Sequence, residues 1–289
     1  MRPYFFLIPS LLMLSCFPKD QQLKEVSQLP LDEVSGIEMF PGDDIVWAIE
    51  DSGNKNIVYG LSLKGEIIHE LQLKGAENKD WEDIASDTQG NLYVGDFGNN
   101  SNKRKDLVLY KINRENVKDG EISEFVKTTF YFPEQHEFPP KKSERFYDVE
   151  AFVVHNGSFY LFTKNRSAKF DGTFMVYKVP CKEGDYAAQL LATLKSCSVY
   201  SKCAVTGADI SPDGKTIVLL SSDKIWQLTD FENDSFKQEN LKMFELGHNS
   251  QKEGICFKDD ATLLLADERD KKTGGYLYEV KPADLKAKH

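Results

Sequence analysis

Three observations predict an all-β chain folded as a β-propeller of four-stranded blades, with five blades preferred and six the alternative. A strand–turn–strand unit recurs five times along the 289 residues. The reversals carry the Gly, Pro, Asn and Asp residues that tight turns require. One strand-like segment ahead of the first unit lacks a partner, and the fifth unit lacks one strand. Self-similarity at a period near the length of one blade is the mark of a radial repeat.

The units open at Glu33-Val-Ser-Gly-Ile37, Asp80-Trp-Glu-Asp-Ile84, Asp148-Val-Glu-Ala-Phe152, Thr206-Gly-Ala-Asp-Ile210 and Gln251-Lys-Glu-Gly-Ile255. Their second strands are read at 44–50, 91–96, 157–163, 215–221 and 262–267, after turns such as Pro41-Gly42-Asp43 and Pro212-Asp213-Gly214. Third strands carry alternating aromatics, as in Ile57-Val-Tyr-Gly-Leu61 and Tyr276-Leu-Tyr-Glu-Val280. Fourth strands fit at 66–73, 128–132, 189–194 and 241–246, and none follows the fifth unit. The segment 23–29 is therefore expected to supply the outer strand of the last blade and close the ring. Residues 23–289 form one propeller domain on this reading. The six-bladed alternative rests on the length of the second unit, which leaves 113–147 as the place where a further blade would fit.

Ahead of this domain, Met1-Arg2-Pro3 is a short basic start, and Tyr4 to Leu14 is an apolar run too short to span a bilayer. With Ser15-Cys16 it resembles a bacterial lipoprotein signal, in which a small residue precedes the Cys that takes the lipid. The expectations are a signal peptide at 1–15, lipidation of Cys16 and a tether at 16–22. The chain is then exported and membrane-anchored through its lipid, in the bacterial periplasm or outer membrane. Cys197 and Cys203 flank a short loop and can pair in an oxidising compartment. Cys181 is another possible partner, so the pairing stays open. Cys256, in an apolar strand, reads as a buried thiol.

Hydrophobic residues make up 40% of the chain, enough for a core, and aromatics at 12% favour strands. The formal charge of −10 excludes a nucleic-acid partner, which asks for a basic face. In a propeller the start of the innermost strand and the end of the second strand meet at one mouth of the central channel. Aligning the units on Ile37, Ile84, Phe152, Ile210 and Ile255 places Ser35, Glu82, Glu150, Ala208 and Glu253 two positions earlier. Asp80 and Asp148 lie two further back, on the same side by alternation. Asp96, Lys164, Asn165, Asp267 and Arg269 end second strands at the same mouth, with Arg166 beside them. Convergent carboxylates repel unless a cation neutralises them or their pKa values rise. Oxygen ligands without His or Cys select Ca²⁺ or Mg²⁺ over zinc. Glu82, Glu150, Glu253, Asp80 and Asp148 are the expected metal ligands. Asp96, Lys164, Asn165, Arg166, Asp267 and Arg269 are the expected substrate-binding residues.

Glu253-Gly-Ile, Asp80-Trp-Glu-Asp-Ile-Ala and Gly90-Asn-Leu-Tyr-Val-Gly-Asp96 resemble the repeats of SdiA-regulated-type and phytase-like bacterial propellers. These belong to a broad superfamily with calcium-dependent phosphotriesterases and gluconolactonases. The resemblance covers most of 31–280. It implies a central calcium held by a Glu at the start of an inner strand, which Glu82, Glu150 and Glu253 match and Ser35 and Ala208 do not. The asparagine ligands of lactonases find a match only at Asn165, and the known six-bladed members make five blades a departure.

No Gly-x-Ser-x-Gly or Walker loop is present. His248, in Gly247-His-Asn-Ser-Gln251 ahead of Glu253, is the candidate proton carrier. Two functions stand side by side. One is a cell-envelope recognition module whose acidic channel face, with a bound divalent cation, takes a small anionic ligand, a glycan or a protein. The other is a calcium-dependent hydrolase of phosphate esters or lactones, with Lys164, Arg166 or Arg269 holding the anion.

Overall fold

The computed structural model describes residues 23–271 and 273–288. The signal segment 1–15, Cys16 and the tether 16–22 lie outside the described residues. Five sheets of antiparallel strands form a five-bladed propeller. From the channel outward, blade 1 is Val34–Met39, Ile45–Glu50, Ile57–Ser62 and Ile67–Leu73. Blade 2 is Trp81–Ser86, Leu92–Asp96, Leu107–Ile112 and Val126–Tyr131. Blade 3 is Asp148–His155, Ser158–Lys164, Thr173–Pro180 and Gln189–Lys195. Blade 4 is Gly207–Ile210, Ile217–Leu220, Lys224–Leu228 and Leu241–Glu245. Blade 5 is Lys252–Asp259, Thr262–Asp267 and Tyr276–Val280, completed by Lys24–Gln28. That N-terminal strand runs antiparallel to the third strand of blade 5, with Lys24 opposite Glu279 and Gln28 opposite Tyr276. Leu29 adds a further backbone bond to the Gly275 carbonyl, 2.7 Å.

The stretch that left room for a sixth blade has another use. Gly120–Ile122 pairs in parallel with the outer strand of blade 1, and Val126–Tyr131 is the outer strand of blade 2. Gly184–Ala187 of blade 3 likewise covers the edge of blade 2, and the C-terminal Lys286–Lys288 covers the edge of blade 4. On blade 3 the Gln238 side chain does the same work, accepting from the Lys195 N–H and donating to its carbonyl at 2.7 and 3.0 Å. In each case the cover comes from the following blade. An outer strand left bare would present a row of unpaired N–H and C=O groups to any passing strand.

The core is distributed around the ring. Five hydrophobic clusters, one per junction between blades, combine side chains of two neighbouring sheets. Trp81, fully buried, packs in the cluster between blades 1 and 2. Inner strands approach closely at the axis. A Cβ on Gly36 would stand 2.9 Å from the Asp83 Cα of blade 2, so only glycine lets these backbones meet.

Three carboxylates inside apolar inner strands hold the blades together below the mouth. Glu38 accepts from the Ser86 N–H of blade 2 at 2.9 Å, Asp83 from Phe152 of blade 3 at 3.0 Å, and Asp209 from Phe257 of blade 5 at 2.6 Å. Each also accepts the N–H of the residue after it. The inner strand faces the channel without a neighbour in its own sheet, so its free N–H groups need such acceptors.

The pairing register corrects one alignment. Ala208 stands opposite Leu219 and Gly207 opposite Leu220, the relation that Ile37 and Gly36 hold to Ala48 and Ile49. Thr206, not Ala208, is therefore the blade 4 counterpart of Glu82. Its N–H donates to the Leu220 carbonyl and its hydroxyl to the Lys252 carbonyl, 2.7 Å. Blade 4 brings no acid to this position on either alignment.

Candidate functional site

The register slips at one residue near the start of four inner strands, and those residues are Ser35, Glu82, Glu150 and Glu253. A β-bulge leaves its extra residue unpaired and re-aims the side chain. Repeated in four of the five blades, it turns one position in each of them toward the mouth. Second strands end opposite the residues before these bulges, Glu50 opposite Val34, Asp96 opposite Trp81, Thr163 opposite Val149 and Asp267 opposite Lys252, and in blade 3 the pairing runs one residue further, with Lys164 opposite Asp148.

Two groups of carboxylates meet at Glu82. Asp51, Asp80 and Glu82 each offer an oxygen within 4.8 Å of the others, as do Glu82, Asp148 and Glu150. Glu82 is 8% exposed, yet it accepts no hydrogen bond and joins no ion pair among the described residues. Burial pushes its carboxyl well up, and the charges of Glu150, Asp148, Asp80 and Asp51 push the same way. The backbone beside it leaves room: a Cβ on Gly98 would fall 2.0 Å from Glu82 Oε1. A buried, unpartnered carboxylate among further oxygens, with a glycine keeping the space open, fits a hard cation such as Ca²⁺. Asp80 is raised to about 6 by burial and by Asp51, and Glu268 to about 7 by burial, Asp51 and Glu33.

The blade 3 side is neutralised from within the chain. Lys164 Nζ donates to Glu150 Oε2 at 2.7 Å, and an Arg166 terminal nitrogen donates to Glu150 Oε1 at 2.6 Å. Arg166 Nε donates to Asp148 Oδ2, and the Asn99 N–H reaches Asp148 Oδ1 at 2.6 Å. The other terminal nitrogen of Arg166 bonds the Tyr200 hydroxyl at 2.6 Å. Asp148 and Glu150 titrate as a pair. Burial opposes the charge on both, but Lys164 and Arg166 hold Glu150 below its usual range, while burial and the charge of Glu150 push Asp148 up to about 8. Burial alone would lower the Lys164 pKa; Glu150 and Glu253 reverse this and raise it, so it stays an ammonium. Glu253, partly exposed, rises to about 8 through burial and the nearby Glu150 and Glu268, against the pull of Lys164.

Of the expected metal ligands, Asp80, Glu82, Asp148 and Glu150 are brought together, and Glu253 is coupled to them through Lys164 and Glu150. The expected substrate-binding set divides. Lys164 and Arg166 are at the mouth, engaged by carboxylates. Asp96 turns to Arg104, 2.9 Å away, and takes the Asp80 N–H. Asn165 is buried and shapes its loop through the Ser167 N–H and Asp171. Arg269 pairs with Asp32 at 2.7 Å and with the Leu29 carbonyl. Asp267 accepts from the Tyr278 hydroxyl and the Tyr276 N–H. Asp96, Asn165 and Asp267 thus serve their own blades, and Arg269 the segment that leads from the closing strand into blade 1, because each lies within reach of a local donor or acceptor that the topology supplies.

His248 also departs from expectation. Its Nδ1 lies 3.0 Å from Lys252 Nζ, its ring packs 5.2 Å from that of Tyr278, and burial and Lys252 lower its pKa. Lys252, fully buried, donates to the Ser222 and His248 carbonyls and to Ser250 Oγ. This lysine fastens the 248–251 loop to blade 5, beside a cavity of about 440 Å³. Asp51, an acid the repeat carries to this mouth, joins the site as a third oxygen ligand, and Gly98 and Tyr200 join it without having been expected there. Asp51 had a signal, since it follows Glu50 at a second-strand end; Tyr200 had none, because the disulfide loop that carries it gives no pattern.

No protein-family model matches the chain, and no curated protein sequence matches it. Among solved structures it is similar to the PQQ-bound form of an aldose sugar dehydrogenase from Streptomyces coelicolor, at 10% identity and a TM-score of 0.48, over 92% of this chain and 98% of that one. It is also similar to a gluconolactonase from Xanthomonas campestris, at 10% identity and a TM-score of 0.49, over 91% and 89%. The propeller assignment itself stands on the five sheets and their order around the channel.

Proposed function

We propose that the protein is an exported recognition module that holds a divalent cation, Ca²⁺ by its oxygen donors, at the acidic mouth of its channel and takes its ligand there. The observation that carries this reading is Glu82: a buried carboxylate with no partner among the described residues, with an oxygen within 4.8 Å of oxygens of Asp51 and Asp80. A bound cation would supply the missing counter-charge and leave positions open to ligand oxygens. The ligand would be a glycan or a protein segment presenting hydroxyl or carbonyl oxygens. A small anion has less support, since Arg166 and Arg269 are engaged by Asp148, Glu150 and Asp32. Export and lipid anchoring at Cys16 agree with the disulfide joining Cys197 and Cys203, a bond kept in oxidising compartments.

One observation favours the hydrolase reading: Glu253 is partly exposed at the same mouth and joins no ion pair among the described residues, as a base beside a cation must. A calcium titration followed by thermal melting tests the main reading. Stabilisation that a chelator reverses and that Glu82→Gln abolishes is the expected result; no stabilisation at millimolar calcium would sink it. Turnover on lactone or phosphate-ester panels, lost in Glu253→Gln, would move the assignment to the hydrolase. Loss of membrane association in Cys16→Ala checks the anchor.

A further inference from the structure

The mouth offers two oxygen triads that share Glu82, and they differ in how they are compensated. In Glu82–Asp148–Glu150, two of the three acids already hold protein cations: Lys164 and Arg166 on Glu150, Arg166 and the Asn99 N–H on Asp148. In Asp51–Asp80–Glu82, no member joins an ion pair among the described residues. Arg104, whose charge acts on Asp80 without an ion pair to it, is turned to Asp96, the Gly98 carbonyl and Asp106.

The register shows how the difference arose. Opposite the residue before the bulge, blades 1, 2, 3 and 5 carry Glu50, Asp96, Thr163 and Asp267, and one residue further on blades 1 and 5 carry the acids Asp51 and Glu268, while blade 3 carries Lys164. Its ammonium is 2.7 Å from Glu150 and is coupled to Glu82 and Glu253, the three glutamates at the bulges. A dication among those three glutamates would be repelled by Lys164 and Arg166 together.

We propose that Lys164 is a built-in counter-ion for the glutamates Glu150 and Glu253, and that the divalent cation binds away from them, off the axis, on Asp51, Asp80 and Glu82, at the junction of blades 1 and 2. The proposal rests on the reading of the mouth as a cation site and specifies where in it the ion sits. Glu82, unpartnered among the described residues and more than nine-tenths buried, is the ligand both groups present; Asp51 and Asp80 are the oxygens left for the ion. Glu253 is then free of the metal.

Anomalous diffraction from crystals of the protein grown with Mn²⁺, together with Ca²⁺ calorimetry, distinguishes the two placements. The expected map has a peak bonded to Asp51, Asp80 and Glu82 and none on the axis. Asp51→Asn should weaken calcium binding about tenfold or more through the lost ligand charge, and Glu253→Gln, which removes no ligand of the off-axis ion, should weaken it far less than Asp51→Asn does. In folded Lys164→Met, a second Mn²⁺ peak should appear between Glu150 and Glu253. A wild-type peak bonded to Glu150 or Glu253 would overturn the off-axis placement while leaving the cation reading intact. Absence of an axial peak in folded Lys164→Met at saturating Mn²⁺ would overturn the counter-ion role. No ion and no calcium heat anywhere would remove the cation reading and this proposal with it. The wild-type map tests the off-axis placement even if a variant does not fold.

Discussion

Glu82 and Gly98 act as one unit at the mouth. The carboxylate has its place because residue 98 has no Cβ, and a methyl there would fall 2.0 Å from Oε1. Gly98→Ala is therefore expected to fold, to displace Glu82 and to shrink the calcium-dependent rise in melting temperature; a full rise in this variant would refute the cradle. Asp209 works differently. Its two oxygens take the Ile210 and Phe257 N–H groups, and burial raises it to about 7. Asp209→Asn keeps one acceptor oxygen and sets an amide against the other N–H. It should cost about 1–3 kcal/mol in urea unfolding at pH 5 and flatten the pH dependence of stability between about pH 4 and 7.

Among the elements, the closing strand and the disulfide loop make separable contributions. Lys24–Gln28 pairs along the third strand of blade 5, and Leu23 beside it enters the cluster between blades 4 and 5. Removing 23–29 opens the ring at that blade and bares the edge of Tyr276–Val280. A loss of several kcal/mol is expected, on the order of 1 kcal/mol for each lost bond, with aggregation through the exposed edge; unchanged unfolding in urea would contradict the closure. Cys197 and Cys203, six apart in sequence, tie the loop that presents Tyr200 to Arg166. Replacing both with Ser should cost about 2 kcal/mol by the loop-entropy relation, measured by denaturant unfolding, and should leave the sheets as they are.

For the molecule as a whole, the acids at the mouth of the channel, with the buried Asp209 below them, set the response to pH, and those at the mouth set the response to calcium. Asp80, Glu268, Asp209, Asp148 and Glu253 are held at about 6, 7, 7, 8 and 8, above their unfolded values. The folded state therefore binds more protons than the unfolded state between about pH 4 and 8, and stability falls as pH rises through that window. In chelator, the melting temperature should drop steadily from pH 5 to 8.5. Calcium should restore it most at the alkaline end, by about 2.7 kcal/mol at a hundredfold excess over Kd. A melting temperature that climbs with pH in chelator would contradict the assignment.

Much of this was legible in the chain. Alternating apolar strands and turn residues determined the five units, because a sheet with one buried face repeats every two residues and a tight reversal accepts few residue types. The strand count, one ownerless strand and one blade short of a strand, assigned 23–29 to the last blade, and alternation brought Glu82, Asp148 and Glu150 to one mouth. Only the tertiary structure decided the rest. The Ile210 alignment slipped by two because an alternating strand reads alike at every second residue, and the partner strand alone fixes the register. Gly120–Ile122 and Lys286–Lys288 cover the edges of other blades, and cross-blade pairing leaves no local pattern. Asp96, Asp267 and Arg269 have the residue types and positions of site residues, yet each meets a partner of its own blade or its neighbour before it reaches the axis. Charge and spacing determine which acids arrive at the mouth; which of them remain uncompensated there depends on the distances to Lys164 and Arg166, which exist only once the ring is closed.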